Sequence, residues 1–466
     1  MPHTSKAKKV SYSSKEDRIS ALPDDVLHHV LGFLQAAEAV HTSVLARRWR
    51  YLWKSMRCLR INSIGRGHEG NDASLSNFIN CLLLLRDPGS TLDEVEIEYD
   101  NLEDNAKWIS IWIRHALSCQ AQVLTVKPDS AMHPSLDGPP LVSRHLRRLE
   151  ISHVNLKNNF LDFSSCTALE DLKIESSALQ TSRILSPSLK HLSMDGCIFR
   201  HHGRIRISVP KLVSLQLISF DGRAPLLESM LSLETAVVSA YIYWVDVCRE
   251  GVAGECCGTC ADCCGNDDHN GRCILLGGLS CATNLELITT PGMLIFRRDL
   301  RWCPTFSKLK TLLLTDWCVQ INLRALVCML EHSPVLENLI LQLRKQLETA
   351  LALEVEGNNG LMHKPAGISG CLKIIKVKCL EIDDRVCKVL KFLSILGTEI
   401  IIQRTTDGWR YLLSSQDPVS RGKENFGVLM DVPSGDHSVS RVGEELVLLM
   451  NLPTCDQLQE CKAEAC

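Results

Sequence analysis

The segment "CREGVAGECCGTCADCCGNDDHNGRC", residues 248–273, is where the side chains of this 466-residue sequence come nearest to chemistry. Eight of the 22 cysteines fall between positions 248 and 281. Two residues separate Cys257 from Cys260 and Cys260 from Cys263, and His269 and Cys273 follow. Such spacing is compatible with a tetrahedral zinc site, because paired thiolates on a turn reach the same ion. The pairs overlap, however, and no second clean Cys-x2-Cys follows at the usual finger distance. The Gly, Asn and Asp content marks a loop. A thiol-rich insertion with no cofactor is therefore the leading expectation. Structural zinc on Cys257, Cys260, Cys263 and Cys273 is the second, and redox sensing or disulfide pairing the third. A site of four thiolates would in any case be closed and non-catalytic.

Nothing else carries a catalytic signature: there is no G-x-S-x-G, P-loop, H-E-x-x-H or convincing dinucleotide fingerprint. The expectation is a protein that is not an enzyme. Lys plus Arg total 51 against 54 Asp plus Glu, a formal net charge of -3, so no basic excess points to nucleic acid or an anionic membrane. The first 18 residues have no apolar run of the signal-peptide kind, and "CLLLLR" at 81–86 is far too short for a span. A soluble intracellular protein, cytoplasmic or nuclear, is expected, with "SKAKK" a weak nuclear address. The remaining cysteines, such as Cys119, Cys166, Cys197, Cys318 and Cys328, are scattered among leucines and read as buried thiols in a reducing compartment.

The elements that give the chain its function lie elsewhere, first in residues 18–60. In "ISALPDDVLHHVLGFLQAAEAVHT" the apolar residues Leu22, Val26, Leu27, Val30, Leu31 and Leu34 fall at helical spacing. Pro23 suits a first helical position, and Asp24 and Asp25 complement the helix dipole. Gly32 predicts a break, followed by a short helix through Val40 and Val44. In "SVLARRWRYLW", at 43–53, a third helix would place Leu45, Trp49, Leu52 and Trp53 on one stripe and Arg47, Arg50 and Lys54 opposite. That segregation argues against base stacking, which needs aromatics exposed among cations. Three short helices with two tryptophans hold more apolar surface than so small a module can bury alone, so a partner is expected.

These residues resemble an F-box, specifically that of the large plant group of F-box proteins with leucine-rich repeats. Its pattern runs I-S-x-L-P-D-x-[LV]-L-x-x-I-L-x-F-L, then A-V-x-T-S-x-L-x-[RK]-R-W-R-x-L-W. The match is dense over residues 18–53, and departs at "LQAAEAV", where a proline and a charge are more usual. The resemblance implies docking on a Skp-type adaptor and, through it, cullin and RING subunits of a ubiquitin ligase. By matching positions, Leu22, Pro23, Val26, Leu27, Val30 and Leu31 would contact the adaptor from the first helix. Leu45, Arg48, Trp49, Leu52 and Trp53 would do so from the third, with about half of the set serving the module's own core.

After a Gly-rich polar stretch at 61–74 a second theme recurs: "LRRLEISHV" at 146, "LEDLKIESS" at 169, "LKHLSMDGC" at 189 and "LVSLQLISF" at 212, then "LETAVV" at 233. The starts lie 23, 20, 23 and 21 residues apart, which is the leucine-rich-repeat period with its L-x-x-L-x-L core. Further copies begin at 92, 309, 336 and 372. The fold class expected is α/β: a three-helix F-box, then a leucine-rich-repeat solenoid over 75–400 with a parallel sheet on its concave face. The cysteine-rich insertion interrupts it at 248–281, in a gap with room for about two units. Leucines alternate inward, leaving Arg148, Glu150, Asp171, Lys173, Glu175, His191 and Asp195 on the open face, where such solenoids usually hold their ligands. The resemblance implies a protein target there for ubiquitination, and makes the chain a receptor subunit without catalysis. The alternative is an interaction scaffold that never joins a ligase. Residues 1–17 and 401–466 show no pattern to which a structure can be assigned.

Overall fold

A computed structural model of the chain describes residues 19, 21–62, 72–98, 106–128, 133–200, 204–240, 273–288, 299–319, 323–343, 370–404 and 445–448. Cys257, Cys260, Cys263 and His269 lie outside these segments. Two compact units divide the chain, Met1–Ser130 and Ala131–Cys466.

The first unit opens with α1 (Asp24–Leu31), which starts behind Pro23 with two aspartates in its first turn and stops at Gly32. Next comes α2 (Ala36–His41), at whose start the Gln35 backbone N–H donates to the Glu38 carboxylate at 3.2 Å. The expected third helix does not form. Residues 42–55 instead make three 3-10 turns, Thr42–Val44, Arg47–Arg50 and Leu52–Ser55. Ala46 is extended, at φ -156° and ψ 161°, and Tyr51 also leaves the helical region. Trp49 and Leu52, in successive turns, are both buried while Leu45 stays outside.

A parallel βαβαβ array follows: β1 (Cys58–Asn62), α3 (Asp72–Leu84), β2 (Glu94–Glu98), α4 (Ala106–Ser118) and β3 (Val123–Val126). Leu59, Val95 and Leu124 are in register, as are Ile61, Ile97 and Val126, and all six are buried. The compact division thus falls after residue 130 and not in the polar stretch at 61–74. The F-box helices are fastened to β1, where Arg60 Nε donates to the Gly32 carbonyl at 3.0 Å.

In the second unit the principal sheet runs through β5 (Arg148–Ser152), β7 (Asp171–Glu175), β10 (His191–Asp195), β13 (Ser214–Gly222), β15 (Thr235–Ala240), β16 (Asn284–Ile288), β17 (Thr311–Thr315), β18 (Asn338–Leu343), β19 (Ile374–Cys379) and β20 (Glu399–Arg404). Every neighbouring pair is parallel and in register from the first residue of each strand. Leu149, Leu172, Leu192, Leu215, Ala236, Leu285, Leu312, Leu339, Ile375 and Ile400 form one buried row. This is the L-x-x-L-x-L theme stacked into a leucine-rich-repeat solenoid.

Two smaller parallel sheets line the return path of the early repeats. One holds β4 (Ser135–Leu136), β6 (Asn155–Lys157), β8 (Ala178–Gln180) and β11 (Ile198–Phe199); the other β9 (Arg183–Leu185), β12 (Arg206–Ser208) and β14 (Leu226–Leu227). Later repeats return through helices Arg324–Glu331 and Asp384–Ser394, the second capped by Asp383 on the Val386 N–H at 2.8 Å.

The structure departs from the sequence expectation at two places. Because β15 pairs directly with β16, no strand stands between them, so the gap in the array is an insertion at one point and not room for two further units. The sheet also passes residue 400, through β20 and an antiparallel β21 (Glu445–Leu448). Among the described residues no helix is long and apolar enough to cross a membrane.

Gly222, at the end of β13, has φ +92°, and a Cβ there would sit 2.3 Å from the Phe199 carbonyl oxygen. Both the dihedral and the backbone contact forbid a side chain. Gly222→Ala is expected to destabilise the second unit by about 3 kcal/mol, measured as a lower urea midpoint.

Candidate functional site

On α1 two apolar rows diverge. Leu27 and Leu31, four residues apart, are both 0 % exposed, whereas Val26 and Val30, also four apart, are 42 % and 41 % exposed. Pro23 and Leu22 continue the outer row. The 3-10 segment repeats the division: Trp49, Leu52 and Trp53 are buried, and Leu45 is 70 % exposed. The adaptor-facing set expected from the F-box pattern therefore splits. Leu22, Pro23, Val26, Val30, Leu45 and Arg48 are accessible, while Leu27, Leu31, Trp49, Leu52 and Trp53 are core, the Leu52–Ser55 turn packing against α1.

Exposed Phe33, Val44 and Tyr51 join the outer set; a helical stripe does not reveal them, because it assumes one continuous helix. Leu22, Val26, Val30, Phe33, Val44, Leu45 and Tyr51 make seven large apolar side chains exposed within thirty residues of chain, more than scattered surface residues account for. Arg48 is held against Asp24 at 2.6 Å, both side chains being well exposed. Such a pair contributes little stability, but it ties the Arg47–Arg50 turn to the start of α1. His28 and Ser55 make a second link, 3.0 Å between Nε2 and Oγ.

In the second unit the seven expected ligand-face residues do share one face. Arg148, Asp171 and His191 form one registered row, Glu150 and Lys173 the next, and Glu175 and Asp195 the third. Much of their charge is spent internally: Arg148 lies 3.4 Å from Asp171, and Lys173 lies 2.6 Å from Glu175. The hydrogen bond that Lys173 donates to Glu175 raises the Lys173 pKa, and burial, then the nearby Glu175 charge, raises that of Asp195.

A group that sequence reasoning does not single out is Cys303, Cys328 and His332, whose ligating atoms all lie within 4.8 Å of one another. Cys328, expected to be an inert buried thiol, is only half-buried and faces both partners. The hydrogen bond from Cys303, then the neighbouring His332, pull its pKa down to about 7, against the effect of burial; Cys303 is pushed up by the same hydrogen bond and by burial. The signal present in the sequence is Cys328-x3-His332 on a helical stretch, which puts both side chains on one face.

Comparison with known proteins bears on the first of these surfaces. Residues 19–61 match the F-box domain model. These residues thus carry the F-box pattern, and the chain is similar to plant F-box/leucine-rich-repeat proteins. An F-box/LRR-repeat protein of Arabidopsis thaliana is 26% identical over 409 residues, covering 78% of this chain and 86% of that protein. The MEIOTIC F-BOX protein of Oryza sativa subsp. japonica is 28% identical over 360 residues, 69% of this chain and 70% of the other. An FBD-associated F-box protein of Arabidopsis thaliana is 29% identical over 264 residues, half of this chain and 59% of that protein's length. The matched residues lie wholly within the first compact unit.

Proposed function

We propose that the chain is a substrate receptor of an SCF-type ubiquitin ligase. Its F-box would dock a Skp-type adaptor, and the sheet face of the repeats would hold a protein target. The observation that carries this reading is the coincidence of the F-box match with an exposed apolar row, Val26, Val30 and Leu45, left over after the module has filled its own core. Burying one large apolar side chain is worth roughly 1.5–3 kcal/mol, so a few such anchors suffice for a stable interface.

The chain then contributes no bond-making chemistry of its own. It raises the effective concentration of the target beside the charged ubiquitin carrier, turning a bimolecular encounter into a near-intramolecular one. The work would be done in the cytoplasm or nucleus, and requires neither nucleic acid nor a membrane. For the target, the registered rows of Arg148, Asp171, His191, Glu150, Lys173, Glu175 and Asp195 offer a polar surface of mixed charge.

Titration of the purified full chain with a plant Skp-type adaptor by calorimetry tests the docking step. Binding at submicromolar Kd is the expected result. A folded chain that does not bind removes the ligase reading and leaves an interaction scaffold in its place.

A further inference from the structure

Three segments of the second unit converge on one spot. Cys303 ends the 3-10 turn Leu300–Trp302, and Cys328 and His332 lie four residues apart, on and just after helix Arg324–Glu331. Cys273 arrives from the chain leaving the cysteine-rich insertion, with Sγ 2.7 Å from the Trp302 carbonyl, next to Cys303. We propose that Cys303, Cys328 and His332, whose ligating atoms meet, bind a structural zinc ion, with the Cys273 thiol turning from the Trp302 carbonyl to complete the site as fourth ligand.

The geometry fits the ion. Ligand atoms on the corners of a zinc tetrahedron stand about 3.3–3.8 Å apart, and the ligating atoms of Cys303, Cys328 and His332 already lie within 4.8 Å of one another. A set of thiolates and one imidazole selects zinc over magnesium or calcium, which take oxygen. His332 Nδ1 is also 2.9 Å from the Cys328 carbonyl oxygen. A proton held there leaves Nε2 with its lone pair, the arrangement that metal-bound imidazoles favour.

The frame around the site is fixed without the metal. The buried Asp299 carboxylate accepts from the Ile274, Leu275 and Leu276 N–H groups at 2.8–3.0 Å, which pins the segment after Cys273 to the segment before Cys303. The Phe306 N–H donates to the His332 carbonyl at 2.8 Å and joins the other two. Zinc would clamp the point where the insertion re-enters the repeat array. This site shares only Cys273 with the ligand set Cys257, Cys260, Cys263 and Cys273 expected from the sequence of the insertion.

Zinc content of the full chain, purified under reducing conditions and measured by mass spectrometry, tests the assignment. About one zinc per chain is expected in the wild type and in the triple variant Cys257→Ser, Cys260→Ser, Cys263→Ser, with at least a tenfold loss in Cys303→Ser and in Cys328→Ser. Because either single variant could lose its fold, a second measurement uses the wild type alone: alkylation of Cys303 and Cys328, followed by peptide mapping, should slow at least tenfold on adding zinc and recover with chelator. The assignment is overturned by a wild type without zinc, by zinc that the triple variant loses and Cys328→Ser retains, or by zinc-indifferent alkylation. A disulfide between Cys303 and Cys328 in the reduced preparation would overturn it equally.

Discussion

Val30→Asp is expected to abolish capture of the Skp-type adaptor while leaving the chain folded. Val30 belongs to the outer row of α1 and is 41 % exposed, so a carboxylate there stays in water in the free protein. In the complex it would be desolvated against an apolar surface, and the contact made by the valine would be lost. Together these cost upwards of about 3 kcal/mol, a fall of at least about 100-fold in affinity. Leu27→Asp, one turn away on the inner row, has a different expected outcome. Leu27 is fully buried, and a buried charge without a partner costs several kcal/mol, comparable with the stability of a small domain. That variant should lose the module's near-UV circular dichroism as well as binding. Calorimetric titration and thermal melts on both separate the two effects. Val30→Asp binding as the wild type does would mean that the outer row does not meet the adaptor.

Asp299→Ala is expected to be the most damaging single substitution in the second unit. The carboxylate is completely buried and satisfies three backbone N–H groups at the start of the short helix Leu276–Leu279. Alanine leaves all three donors stranded, at roughly 1–3 kcal/mol each. The loss is partly offset because no charge then has to be desolvated. A net destabilisation of about 4 kcal/mol follows, read as a shift of the urea midpoint at constant slope. Asp299→Asn should recover only part of it, since one amide oxygen replaces two charged acceptors. An unchanged midpoint would show that the segment after Cys273 is held by something other than this carboxylate.

The F-box and the repeats are both legible in the amino-acid sequence, for a common reason. Each is written as a periodic apolar pattern, and burial of a periodic face is a local consequence of sequence. Pro23, Asp24, Asp25 and Gly32 mark the start and end of α1 correctly, and the starts at 146, 169, 189 and 212 each fall two residues ahead of a registered strand. The third helix fails as an expectation because Leu45, Trp49, Leu52 and Trp53 satisfy helical spacing, yet one extended residue, Ala46, divides the stretch. Sequence cannot show which face of a small amphipathic segment turns toward its own neighbours.

By itself, then, the sequence marked out an F-box pattern at the start and stacked leucine-rich repeats after it. The tertiary structure alone decided which apolar side chains remain available to a partner and which thiols meet. Val26 and Leu27 are adjacent in sequence and opposite in exposure. Cys303 and Cys328, twenty-five positions apart, are brought together because the repeat array folds the 3-10 turn ending at Cys303 against the helix that carries Cys328. Neighbourhood across a solenoid is set by the register of its strands, and no local pattern of residues encodes it.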